Sequence, residues 1–260
     1  MAATNAEIDV LTPGGYGALS ISKGISIQGH GFAGISVSNN GTGIGITAPS
    51  TDSVSLNGLL IDGGGGGGTG ILFNSGKSLT VENCVVRNMT GNGLILLSEA
   101  EATQTVAVSN SYFSDTTGNG IEIETFGSAG TVTASIDRTV FSGNGTGLEV
   151  QASLVTSSVP VSVAVTDSIA ANNGTGFSVL SNTSIANLSL THALIEGNGS
   201  GIHASGTNAT AWVAQSTFTG NTLAFSIDTN GVVNSYGDNY VTSGGGSSGT
   251  TPVSKQSARR

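Results

Sequence analysis

The sequence predicts an all-β solenoid of short parallel strands stacked into about nine to ten coils. A Gly–apolar–x–apolar motif recurs at spacings of 23 to 29 residues. A second motif falls between its copies: apolar–x–apolar, a polar bend, a small residue, and an apolar residue at +7. Glycine is abundant (41 of 260 residues) and charge is sparse (9%), while 37% apolar residues are enough to fill a core.

The first motif runs from Gly43-Ile44-Gly45-Ile46 through Gly70-Ile71-Leu72-Phe73, Gly93-Leu94-Ile95-Leu96, Gly120-Ile121-Glu122-Ile123 and Gly147-Leu148-Glu149-Val150. It continues as Gly176-Phe177-Ser178-Val179 and Gly201-Ile202-His203-Ala204 and decays at Ala224-Phe225-Ser226-Ile227. The second motif includes Leu79-Val81-Asn83-Cys84-Val86, Val106-Val108-Asn110-Ser111-Phe113 and Val163-Val165-Asp167-Ser168-Ala170. Apolar residues alternate with polar or small ones in both, the period of a strand with one buried face. Each repeat is two or three strands with bends and has no room for a helix. One such turn cannot bury its apolar face alone, so coils stack and the core becomes a column. Ten coils at the spacing of hydrogen-bonded strands make a rod on the order of 45 Å long.

Gly and Asn dominate the bends. Asn144, Asn173, Asn198 and Asn221 fall at one position of four late coils. They are expected to tolerate left-handed backbone and to hydrogen-bond along the column as an Asn ladder. That structural role makes the many Asn-x-Ser/Thr sequons poor indicators of glycosylation. Cys84 shares a small-residue slot with Ser111, Thr139, Ser168, Ala193 and Ser216 and is read as a buried filler. His30, between Gly29 and Gly31, is read as a bend residue, and Gly63–Gly68 as a floppy insertion.

Charge narrows the function. The chain carries seven Lys+Arg against 16 Asp+Glu, net −9. Three of the bases, Lys255, Arg259 and Arg260, sit in the last six residues. No basic stripe exists for phosphate, so nucleic acid is not expected as a partner. No apolar run is long enough for a transmembrane helix, so no membrane insertion is expected. One Cys excludes a disulfide framework. No cofactor motif or metal-ligand set is read.

Glu7-Ile8-Asp9-Val10-Leu11-Thr12-Pro13-Gly14-Gly15-Tyr16, followed by Leu19-Ser20-Ile21-Ser22-Lys23 and Ile25-Ser26-Ile27-Gln28-Gly29, resembles the opening coils of right-handed parallel β-helix proteins of the pectate-lyase-like superfamily. The resemblance covers about residues 7–242 and implies a single-stranded right-handed parallel β-helix. It also implies an extracellular or cell-surface location, although the chain opens without a signal peptide. Such proteins place a capping helix before the first coil. Residues 1–6 are therefore expected to be a disordered start with the cap missing, and 243–260 a flexible Gly/Ser-rich tail. The superfamily includes lyases, hydrolases, esterases and adhesins, so the resemblance specifies fold more than activity. Lyases of this kind resemble one another in using basic residues and acidic calcium ligands on anionic sugars. Here Lys23, Lys77, Arg87 and Arg138 are the only bases of the body, and an acidic face repels polyuronate.

Candidate chemistry lies in outward columns. Glu122 and Glu149 fall on adjacent coils about 5 Å apart, with Glu124 and Gln151 at the next outward position. Like charges that close raise a carboxyl pKa, the condition for a general acid beside a base or nucleophile. Solvated glutamates are also the ordinary content of an exposed strand, where they block lateral aggregation. The loops after the Gly motif lengthen beside this cluster, to 10, 11 and 13 residues after Leu96, Ile123 and Val150. His203 extends the Glu122–Glu149 column, and Trp212 faces outward where it can stack a sugar or cover the sheet. Arg138, Asp167 and His192 are expected as neighbours in a second column, as an Arg–Asp–His relay or as cross-coil charge pairs.

Three functions follow. The leading one is a non-enzymatic scaffold, secreted or surface-associated, presenting an elongated face to a polysaccharide or cell-surface glycan. The second is a hydrolase on a neutral glycan with Glu122 and Glu149 as the working pair and Glu124, Gln151, His203 and Trp212 as ligand contacts. The third is a fragment of an adhesin or autotransporter passenger.

Overall fold

A computed structural model describes residues 5–98, 103–127, 130–155, 160–242, 247–248 and 254–255. Every assigned element is a strand, and every strand pairing is parallel. The strands form three stacks. The first runs through Ser78–Glu82, Gln104–Ser109, Val132–Asp137, Val161–Thr166, Ala186–Thr191 and Ala209–Ala214. The second holds shorter strands such as Tyr112–Ser114, Val140–Ser142, Ile169–Ala171 and Leu194–Glu196. The third has ten strands among the described residues, including Leu94–Ser98, Asn119–Gly127, Thr146–Val155, Thr175–Leu180 and Ser200–Ser205. The fold is thus the expected parallel β-helix, and its coil count is close to the predicted one.

The core is one axial file. Leu94, Ile121, Leu148, Phe177, Ile202 and Phe225 pair in register along the third stack. The first four, with Phe73, Phe113, Phe141 and Phe218, have no exposed surface. Each fully buried Phe contributes roughly 1.5–3 kcal/mol of burial. Phe113 and Phe141 stack with ring centroids 6.0 Å apart, and Phe141 meets Phe177 edge-on at 6.1 Å. The glycine opening each motif is set by close approach: a Cβ on Gly120 would lie 2.6 Å from the Gly147 carbonyl oxygen.

Two ladders hold the bends. At the first, Ser168 Oγ donates to Thr166 O at 2.7 Å and accepts the Thr139 amide at 3.1 Å. Cys84 fills the same slot with no exposure, its thiol pushed up to about 11 by burial. At the second bend, each asparagine Nδ2 donates to the next Oδ1: Asn144 to Asn173 at 3.1 Å, Asn173 to Asn198 at 3.0 Å, Asn198 to Asn221 at 2.9 Å. The same Oδ1 atoms accept backbone amides, and the Nδ2 groups also donate to Phe113 O, Phe141 O and Ala170 O. The ladder answers the expectation, but these asparagines are not left-handed. That conformation belongs to the residues before them: Gly143, Asn172, Gly197 and Gly220.

Two further expectations need correction. Gly63–Gly67 continues the strand Ser53–Gly67, with Gly63 and Gly67 buried and Gly64–Gly66 exposed. A Cβ on Gly63 would lie 2.3 Å from Asn88 O, and one on Gly67 would lie 2.7 Å from Val37 Cβ, so the segment turns back against its neighbours. Asp62 holds it, accepting from the Gly64 amide and from Asn88 Nδ2, both at 2.9 Å. Arg138, Asp167 and His192 form no relay, whereas the alternative of cross-coil pairing is met by His192 beside Asp167. Their backbones are left-handed (φ 44°, 48° and 54°), placing them at the first bend. Arg138 turns to Asp137 and to Asn110 Oδ1, while His192 lies 3.6 Å from Asp167. His30 is a left-handed bend residue (φ 55°) and pairs with Asp9 at 2.5 Å.

Pairing begins at Ala6, opposite Ile25. Within the expected tail, Ser247–Ser248 pair with Phe225–Ser226 and Ser254–Lys255 with Asn234–Ser235. Residues 1–4 and the rest of 243–260 lie outside the described residues.

Removing one rung of the Asn ladder strands several buried groups at once. Asn173→Ala is expected to lower unfolding stability by about 3 kcal/mol, whereas Ser189→Ala on the outer face changes it by less than about 0.5. Urea denaturation followed by circular dichroism measures both.

Candidate functional site

The outer face of the third stack carries the carboxyl cluster. Register puts Glu122 beside Glu149 and Glu124 beside Gln151, and the column continues from Glu149 to Ser178, His203 and Ser226. The alternation that sends Ile121 and Ile123 inward sends Glu122 and Glu124 outward. One rung earlier, Glu122 and Glu124 face the half-buried aliphatic side chains of Ile95 and Leu97. Adjacent carboxylates are therefore held at strand spacing beside an apolar patch.

Glu122 is only 9% exposed. Its Oε2 accepts from Asn92 Nδ2 at 2.5 Å. Burial raises its pKa, and the Asn119 and Asn92 amides offset part of that rise. Glu149 is raised by burial and then by the Glu122 charge, against weaker opposing contributions from Ser178, Asn119 and His203. Burial, with the charges of Glu122 and Glu149, pushes Glu124 up to about 7. With Glu124 near its midpoint at neutral pH, the cluster offers both a donor and acceptors on one surface.

Ser178 completes the centre. It is 2% exposed, and its Oγ makes no hydrogen bond of ordinary geometry, although it lies near enough to Glu149 to favour the carboxylate weakly. His203 Nε2 meets Asp228 Oδ2 at 3.0 Å, the next rung down. Among the described residues no three His, Cys, Asp or Glu side chains converge as metal ligands do.

The structure brings Glu122, Glu124, Glu149, Gln151 and His203 onto one face and leaves Trp212 out. Trp212 lies in Ala209–Ala214 of the first stack, on a different sheet. Asn92 and Asn119 were missed by the sequence reading. Their signal is an Asn-Gly pair directly before the motif in two successive coils, Asn92-Gly93 and Asn119-Gly120. The lengthened loops appear in part as longer strands, since Asn119–Gly127 and Thr146–Val155 run on past a register shift to pair Phe126 with Leu154. Residues 99–102, 128–129 and 156–159 of these loops lie outside the described residues.

The raised carboxyls set a pH dependence. Glu124 binds its proton more tightly in the folded chain (about 7) than at its ordinary value of 4.5. The folded state then holds more protons between those values, so stability falls as pH rises through that window. Thermal unfolding from pH 4.5 to 8 is expected to show a falling Tm. Glu124→Gln flattens the profile and is more stable than the parent above pH 7.

The comparisons with known proteins agree with this architecture. The model of the family described as "Right handed beta helix region" matches residues 4–153. No curated protein matches the chain. A solved protein of Geobacillus virus E2, ORF18, is similar over 95% of this chain at 14% identity with a TM-score of 0.54. The chain spans about half the length of that viral protein, 53%. Pectate lyase Pel9A is 13% identical over 95% of this chain and 69% of its own, with a TM-score of 0.47. The mannuronan C-5 epimerase AlgE4 A-module of Azotobacter vinelandii is 12% identical over 96% of this chain and 91% of its own, with a TM-score of 0.44. These likenesses are of fold. With its family model covering more than half the sequence and every coil stacked in parallel register, the chain belongs to the right-handed β-helix family.

Proposed function

We propose that the chain is a non-enzymatic scaffold, secreted or surface-associated, that binds a neutral glycan along the outer face of its third stack. The observation that carries the reading is the register that sets Glu122 beside Glu149 and Glu124 beside Gln151 on one face, where all three carboxyls are raised and the buried Ser178 hydroxyl adjoins Glu149. Mixed protonation suits sugar hydroxyls, which donate and accept in turn. The acidic balance of the chain disfavours polyuronates. Two features speak for binding over turnover. Glu122 is engaged by Asn92, and Glu122 and Glu149 project side by side from one face on neighbouring rungs.

One observation favours a second reading, a hydrolase on the same ligand. A carboxyl raised to about 7, as Glu124 is, matches a proton donor working near neutrality.

A glycan array at pH 6, read alongside a reducing-end assay, separates the two. Retention of a neutral glycan without release of reducing ends is expected, weakened about tenfold in Glu122→Gln and Glu149→Gln. Release of reducing ends that disappears in those variants and in Glu124→Gln selects the hydrolase. Absence of retention on every neutral glycan removes both.

A further inference from the structure

A second surface carries recognisable chemistry on a different sheet from the carboxyl cluster, and its argument does not rest on that cluster. Trp212 projects from the outer face of the first stack, in register with Ser189 on one side and Asn234 on the other. Tyr236 follows on the next rung, its amide donating to Val213 O at 3.2 Å. The two rings lie 5.9 Å apart at 33°. Tyr236 is 41% exposed. Among the described residues, neither the Trp212 indole N–H nor the Tyr236 hydroxyl hydrogen-bonds a protein group.

The approach to this pair is flat. In the Trp212 column the preceding rungs carry Ser135, Ala164 and Ser189, all small and exposed. From Ser135 to Trp212 the floor runs about 14 Å at strand spacing, the reach of a short oligosaccharide. Asn187, Thr191 and Thr210 border it with amide and hydroxyl groups. Asp137, Asp167 and Asp238 stand at its bend edge, where Arg138 is turned to Asp137 and Asn110 and His192 lies beside Asp167, and the backbone of Lys255 pairs with Ser235 one rung beyond. A flat polar floor ending in an aromatic wall matches a pyranose, which offers an apolar C–H face for stacking and hydroxyls at its rim. The acidic edge selects an uncharged sugar.

We propose that Trp212 and Tyr236 form a stacking platform for a neutral oligosaccharide, a binding site on the first stack separate from the carboxyl face. The chain has one tryptophan, so its emission reports directly on this platform in the unmodified protein. Cellohexaose, xylohexaose, mannohexaose and laminarihexaose are titrated separately, with oligogalacturonate as the charged comparison. A saturable change in emission and protection from acrylamide quenching by at least one neutral hexaose is expected, with none from oligogalacturonate. Tyr236→Ala, a surface change, is expected to weaken that binding about three- to tenfold at unchanged Tm. The same titration on Glu122→Gln/Glu149→Gln is expected to be unaltered, which separates failure here from failure of the carboxyl face. The proposal is overturned if no neutral hexaose alters the emission, if oligogalacturonate binds equally well, or if Tyr236→Ala binds as the parent does. It is also overturned if the emission shifts with protein concentration alone, since a second copy then covers the rings.

Discussion

Parallel, in-register stacking at about 4.8 Å between rungs governs this molecule. In such a stack every side chain meets its own equivalent one coil above and one below. A residue type is therefore tested against copies of itself. Aliphatic and aromatic groups pass that test by packing, as Ile121, Leu148 and Phe177 do. Asparagine passes because its amide both donates and accepts, so Asn144 through Asn221 close a ladder without leftover groups. Glycine at the start of the motif, from Gly43 to Gly201, passes because a Cβ there would crowd the next carbonyl.

Carboxylates pass it badly. Two glutamates stacked at rung spacing repel, and aliphatic neighbours deepen the cost by removing water. The chain carries Glu122 over Glu149 regardless, with Glu124 alongside. The Asn92 and Asn119 amides relieve part of that cost at Glu122, and the raised pKa of Glu124 eases its protonation. Elsewhere on the described surface several acidic groups meet Arg or His side chains instead: Asp62 with Arg87, Asp9 with His30, Asp228 with His203. The cluster is the place where the local rule of the solenoid is broken, which is where function is to be sought.

The two outer faces differ in kind. The third stack concentrates charge and buried polarity around one rung pair. The first stack is flat and sparsely charged through its middle, ending in the Trp212–Tyr236 pair. A rigid rod separates such surfaces without linkers, because each stack is braced through the shared core.

Much of this was legible in the sequence because translation along the rod turns contact into a fixed offset of 23 to 29 residues. The axial file, the Cys84–Ser111–Thr139 slot, the Asn column and the adjacency of Glu122 and Glu149 all follow from aligning one repeat on the next. Bend angles and side-chain rotamers do not repeat in that way, and they depend on atoms from several coils. Only the folded chain therefore decided that Arg138, Asp167 and His192 sit at left-handed bends, that Gly63 and Gly67 are packed, and that Asn92 reaches Glu122. It also decided that Trp212 belongs to a different sheet from the glutamates. One-dimensional spacing says which residues stack, whereas the turn between stacks says which way each face looks.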